Sequence, residues 1–122
     1  MRNADLIGGA LELPSGAVFH RCALQVNPHH YAGTFQGQPN DGDADGYARA
    51  IVEKAAALGI SVLAVTDHNN VSGVPAIRAS AKNHGIHIFP GFELTSSEGV
   101  HVLCIYPKEI DDEKLGRYLG GF

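Results

Sequence analysis

Apolar positions along this chain recur with two different periods, which predicts strands alternating with helices. Residues 17–26, AVFHRCALQV, alternate as a strand does, with odd-numbered side chains on one face and even-numbered side chains on the other. Residues 60–65 are apolar on both faces, as expected for a strand buried in a parallel sheet. A short apolar run at residues 86–90 and a longer one at residues 99–107 predict two further strands.

Between and after these strands, a helical period predicts helices at residues 43–59, 73–85 and 111–119. Asp43 or Asp45 can cap the first helix, and Gly59 suits the position just past its end. Pro75 suits the first turn of the second helix, and Gly85 suits its end. An Asp pair stands at the start of the third helix and can cap it in the same way.

The predicted order is β, loop, α, β, α, β, β, α, which favours an α/β fold with a mainly parallel sheet. Right-handed crossovers bring the carboxyl ends of parallel strands to one edge, where binding and catalytic groups collect in such folds. Residues 1–16 are weakly patterned and are interpreted as a lead-in to a domain at residues 17–122. Residues 27–46 are rich in Gly, Pro, Asn and Asp and predict a long loop.

Acidic and imidazole side chains fall at this predicted edge. Asp67 and His68 end the second strand, Glu93 follows the third, and His101 opens the fourth. His20 lies on the first strand and is a further candidate. Imidazole and carboxylate groups are ligands that suit zinc, manganese or iron, so this set predicts a divalent metal site.

The four side chains on the second, third and fourth strands also have a simpler interpretation. Asp67 can cap the turn that follows it, since Asp favours such local hydrogen bonds. The other three can be polar residues of loops or of a strand facing solvent. His29 and His30 lie in the long loop, where they are either solvated or a flexible additional metal arm.

Composition narrows the classes of protein further. The chain has 122 residues, 44% of them hydrophobic, which suits one domain with a core. Cys22 and Cys104 lie in apolar runs, which predicts two buried free thiols rather than a disulfide. A net charge of -4 offers no basic patch for nucleic acid, although a metal-mediated contact with phosphates stays open. No long apolar run is present, so we expect a cytoplasmic protein without a membrane partner.

Two stretches, AVTDHNN at residues 64–70 and FPGFELTSSEGVHVLCIYP at residues 89–107, carry a resemblance to a known family. With the helix between them, they resemble the central motifs of the PHP (polymerase and histidinol phosphatase) domain superfamily. The resemblance covers about residues 51–107. It implies a distorted (β/α)7, TIM-like barrel, bound divalent metal ions and hydrolysis of phosphate esters.

The resemblance also implies roles for individual residues. By position, His68 becomes a metal ligand, Asp67 a supporting group or ligand beside it, and Glu93 the carboxylate that bridges metals. His101 falls in the histidine-bearing strand of the family. Asp67, His68 and Glu93 would then form the catalytic group around paired ions, and Arg21 would steady the phosphate of the substrate.

Two features of the chain differ from the family. Its members open with His-x-His on the first strand, and the nearest match here is His20-Arg21-Cys22, which makes His20 the candidate ligand and Cys22 a soft alternative. Family members are also longer, so the chain resembles the N-terminal half of a PHP domain, about half of a barrel. Residues 19–28 are similar to PHP-like modules that precede ATPase domains, which implies an ATPase domain in the same or a partner chain.

Three hypotheses follow. The first is a metal-dependent phosphoesterase, incomplete in this chain, acting on phosphate esters that include those of nucleic acid or nucleotides. The second is a catalytically degenerate PHP-like module that binds or regulates within a larger protein. The third is a plain α/β binding domain. A half barrel leaves apolar edges uncovered, so we also expect either a homo-oligomer or an exposed apolar edge.

Overall fold

The computed structural model describes residues 18–28 and 43–122 of the chain. The predicted lead-in at residues 1–16, most of the predicted loop, and the pair His29 and His30 lie outside the described residues. The strands are β1 (Cys22–Val26), β2 (Val62–His68), β3 (His87–Thr95) and β4 (His101–Ile105). The helices are α1 (Ala44–Ala57), α2 (Val74–Ala81) and α3 (Asp112–Leu119).

The four strands form one sheet in the order β1-β2-β3-β4. β1 pairs with β2 and β2 with β3 in parallel, whereas β3 and β4 are antiparallel. The α/β class is therefore confirmed, and the sheet is mixed. Only residues 96–100 join β3 to β4, with Gly99 at φ +82°, and so short a connection makes a hairpin rather than a crossover. The start of β4 therefore lies next to the carboxyl ends of β2 and β3, at the same end of the strands.

Local capping explains where α1 and α3 begin. The Asp43 carboxylate accepts a hydrogen bond from the Gly46 amide at the start of α1, and Asp111 does the same for the Lys114 amide in α3. Just past α1, Gly59 has a φ of +67°, a left-handed conformation that glycine adopts without strain. The second helix ends at Ala81, earlier than the sequence pattern predicts.

The core lies between the helices and one face of the sheet. Phe92 of β3 and Ile77 of α2 are fully buried there, and Leu115 secures α3 against the same cluster. Burying a side chain of this size contributes about 1.5–3 kcal/mol. The remaining buried members are mainly aliphatic: Ala48, Val52, Ala55, Leu63, Val65, Val74, Ala81, Ile86 and Ile88.

Strand boundaries differ from the sequence-based expectation in ways that matter for the site. β2 continues to His68, and β3 continues to Thr95, so the acidic and imidazole residues there belong to strands rather than to loops. Gly91 therefore lies within β3. A Cβ atom at this position would lie 2.2 Å from the Cys104 carbonyl oxygen, so glycine permits the close approach of β4.

Both cysteines are free thiols, as predicted, but only Cys104 is partly buried. The expected burial of Cys22 is wrong, because Cys22 opens β1, which lies at the edge of the sheet. Among the helices of the described residues, none is both long and apolar enough to cross a membrane.

Candidate metal centre

His68 and Glu93 lie side by side at the carboxyl ends of two parallel strands. The register of β2 and β3 pairs these two residues directly. The His68 Nδ1 atom lies 3.3 Å from Glu93 Oε1, and the Glu93 side chain is only 1% exposed. The sheet register alone therefore joins an imidazole to a buried carboxylate.

His101 reaches the same carboxylate from β4. Its Nδ1 atom contacts Glu93 Oε1, and its ring centroid lies 5.6 Å from that of His68. One candidate ligand atom from each of these three residues lies within 4.8 Å of the others. The structure thus brings together three of the side chains that the sequence predicts as metal ligands.

The chemistry of this group fits a divalent metal ion. A carboxylate buried without compensation is very costly, and here Glu93 is compensated by the two imidazoles and by the amide of Gln25. Two imidazole nitrogens and a carboxylate oxygen form a donor set that zinc, manganese and iron accept. We call His68, Glu93 and His101 the metal-ligand group.

Asp67 lies beside this group in sequence but is oriented into the turn after β2. Its side chain is buried and accepts hydrogen bonds from the His68 backbone amide at 2.8 Å and from the Asn70 amide at 2.9 Å. Asn69 between them has a φ of 45°, a conformation that Asn tolerates better than most residues. Asp67 therefore performs the turn-capping role considered from the sequence, and it is not among the three side chains that converge.

His20 and Arg21 are not brought to the metal-ligand group. The His20 Nδ1 atom lies 3.1 Å from the Ser61 hydroxyl, and the Arg21 carbonyl accepts from the Ser61 amide at 3.0 Å. Ser61 directly precedes β2, so these contacts lie at the amino ends of the parallel strands. The reason is that His20 precedes β1, which begins only at Cys22, so His20 lies at the opposite end of this strand from the metal-ligand group. The Arg21 side chain donates instead to the Leu58 carbonyl.

Gln25 is a site residue that the sequence reasoning missed. Its Nε2 atom donates to Glu93 Oε2 at 2.8 Å. Strict alternation would place Gln25 on the face of Ala23, but β1 pairs Ala23 with Leu63 and Val26 with Val65. One extra residue therefore lies on β1 between these pairs, a β-bulge that redirects side chains and that often occurs beside active sites.

Asn27 is a second amide at the carboxyl end of β1. Its Oδ1 atom is buried and has no hydrogen-bond partner within residues 18–28 and 43–122. An unsatisfied buried acceptor is unusual and calls for a donor or a cation. The spacing of the two amides could have pointed to both of them. Gln25 and Asn27 are separated by one residue, as are the two histidines of a His-x-His motif, and both lie nearer the end of the strand than His20 does.

Fold and side chains together define an α/β domain with a group that can hold a divalent metal at one sheet edge. The PHP domain family matches residues 40–114, more than half of the chain, and the chain therefore belongs to this family. The matched range contains all three members of the metal-ligand group.

The chain matches only a small part of the length of its curated relatives. The chain is 42% identical over 63 residues to an error-prone DNA polymerase of Symbiobacterium thermophilum, a match that covers 50% of this chain and 6% of the polymerase. It is 32% identical over 71 residues to an uncharacterized protein of Streptococcus pneumoniae, covering 51% of the chain and 26% of that protein. A 5'-3' exoribonuclease of Haemophilus influenzae is 32% identical over 56 residues, 43% of the chain and 20% of the enzyme. No solved structure matches the chain.

Proposed function

We propose that this chain supplies part of the centre of a metal-dependent phosphoesterase. The observation that carries the proposal is the buried Glu93 carboxylate, which two imidazoles from neighbouring strands approach at the same oxygen. Burial of a carboxylate is costly unless it is paired with an opposite charge or coordinates a metal, and a divalent cation at this point would compensate it. Membership of the PHP domain family supports the same chemistry.

In this proposal, residues of the chain fix the position of the negative charge that would bind the metal ion. His68 and His101 present their Nδ1 atoms to Glu93 Oε1, and Glu93 contributes the negative charge there. A divalent ion, zinc, manganese or iron, would supply the positive charge that polarises a phosphoryl oxygen. Asp67 acts indirectly by holding the turn that ends β2 and thereby the His68 backbone.

Phosphodiesters of nucleic acid are the substrate class that we propose to test first. Two relatives carry the names of nucleic-acid enzymes, an error-prone DNA polymerase and a 5'-3' exoribonuclease. The chain has a net charge of -4, so a phosphate would be attracted mainly by the metal rather than by a basic surface.

We further propose that the four-stranded sheet forms about half of a distorted (β/α)7 barrel. β4 pairs with β3 on one side only among the described strands, and additional strands would continue the sheet there and complete the set of ligands. An ATPase domain in the same or a partner chain and a cytoplasmic location belong to this proposal.

The test uses the full natural chain purified without chelators. Elemental analysis should find zinc, manganese or iron, and added Mn²⁺ should support hydrolysis of bis(p-nitrophenyl) phosphate. His68→Ala and Glu93→Ala should each lose the metal and the hydrolysis. His84→Ala is the matched control, because His84 is an exposed histidine whose ring contacts the Ser80 carbonyl instead. Folded wild-type protein that takes up no metal would contradict the proposal.

A second candidate function is a catalytically degenerate PHP-like module that binds metal without hydrolysis. The observation that favours it is the carboxyl end of β1, where Gln25 and Asn27 offer neutral amides and His20 lies at the other end of the strand. Metal bound through His68 and Glu93, with no hydrolysis of any phosphate ester supplied, would select this function over the first.

A further inference from the structure

We infer that Gln25 is a positioning residue for Glu93. It holds the Glu93 carboxylate so that only one of its oxygens, Oε1, faces His68 and His101. This inference rests on the proposed metal site. Gln25 Nε2 donates to Glu93 Oε2, while both imidazoles approach Glu93 Oε1. The two oxygens of one carboxylate therefore have separate partners.

The direction of the hydrogen bond follows from the chemistry of its two partners. An ionised carboxylate only accepts hydrogen bonds, so the amide group of Gln25 must present its nitrogen rather than its oxygen. At 2.8 Å the contact has the length of a charge-assisted bond, which is stronger than a neutral one. Gln25 thus selects one orientation of the Glu93 carboxylate without itself being a metal ligand.

The β-bulge in β1 makes this contact available. The extra residue between the pairs Ala23–Leu63 and Val26–Val65 takes the Gln25 side chain out of the strand's simple alternation and allows it to reach Glu93, which lies two strands away. β2 lies between β1 and β3. Its Thr66 side chain is fully buried and donates a hydrogen bond to the Leu24 carbonyl of β1.

The arrangement also bears on the bridging role that the family resemblance implies for Glu93. A carboxylate that bridges two ions through its two oxygens needs both of them, and here Oε2 is already bound to Gln25. Oε1 remains, shared between His68 and His101. Among the described residues, Oε1 is therefore the Glu93 oxygen that would be available to a metal ion held by His68 and His101.

The test measures the affinity of the chain for Mn²⁺ and the visible spectrum of the Co²⁺-substituted protein. Gln25→Met keeps the length of the side chain and removes the donor, so it should weaken Mn²⁺ binding about 10–100-fold, as expected for residues that orient metal ligands. The Co²⁺ absorption bands should also shift, since Glu93 is free to change its mode of coordination. His84→Ala, which removes an exposed imidazole that contacts the Ser80 carbonyl, is the control and should leave both measurements unchanged.

The outcomes separate this inference from the proposed function. If wild-type protein binds no Mn²⁺, the metal site itself is refuted. If wild-type protein binds Mn²⁺ through His68 and Glu93, but Gln25→Met matches it in affinity and in the Co²⁺ spectrum, only the positioning role is refuted. The variant should still unfold cooperatively, at a midpoint somewhat below that of wild type, because Glu93 loses the Gln25 donor but keeps its contacts with His68 and His101. A large loss of stability accompanied by unchanged affinity would also overturn the inference.

Discussion

Gly91 offers the sharpest test of how the sheet places its ligands, and Gly91→Ala is the perturbation. A Cβ atom at this position would lie 2.2 Å from the Cys104 carbonyl oxygen, 3.2 Å from the Cys104 carbonyl carbon and 3.3 Å from the Ile105 Cα. All three neighbours are backbone atoms of β4, so no side chain can rotate away. The first distance is about 0.8 Å below the 3.0 Å that real Cβ contacts respect, and β4 must therefore move.

Forcing extra atoms into a packed region costs about 1–3 kcal/mol, and we expect Gly91→Ala to lower the free energy of unfolding by that amount. Because His101 opens β4, the same movement should displace its imidazole from Glu93 and weaken Mn²⁺ binding. Urea denaturation followed by circular dichroism measures the first effect, and calorimetric titration of the folded variant measures the second.

The matched control is Gly116→Ala in α3, where an added Cβ would meet nothing within 4 Å. There, replacing glycine in a helix should raise the stability by about 0.5–1 kcal/mol. Equal unfolding midpoints for Gly91→Ala and wild type would refute the reasoning that close approach of β4 requires glycine. Lost stability with unchanged Mn²⁺ affinity would refute only the link between β4 and the site.

Three further predictions concern the fold around the site. Arg78 donates to the Lys108 and Ile110 carbonyls and to the Asp112 carboxylate, so Arg78→Ala should lower the free energy of unfolding in urea by about 1–3 kcal/mol. Arg117→Ala, which removes only an exposed ion pair with Glu113, is the control and should lower it by less than about 0.5 kcal/mol. Asn69→Val should lower the thermal midpoint and Asn69→Gly should not, because a β-branched residue is strained at φ 45°; equal midpoints would exclude strain there. β4 exposes apolar side chains at an unpaired edge of the described sheet, so light scattering should detect self-association that Val102→Lys reduces, and a clean monomer at high concentration would contradict this.

Most of the elements and part of the site could be predicted from the sequence. Local signals were sufficient for the helices, since capping by Asp43 and the left-handed Gly59 act within a few residues. The three members of the metal-ligand group were identifiable because imidazole and carboxylate residues follow apolar strands. His20 is the candidate from the first strand that the structure does not bring to the metal-ligand group, because β1 begins only at Cys22.

The sequence by itself determined the alternation of strands and helices, the caps, and the residue types that gather at one edge, because all of these depend on nearby positions. Only the tertiary structure decided which side chains meet. The pairing of His68 with Glu93 depends on the register of β2 and β3, and the arrival of His101 depends on the antiparallel direction of β4. Gln25 joins them through a bulge that no local pattern encodes, because its existence is defined only by the partner strand.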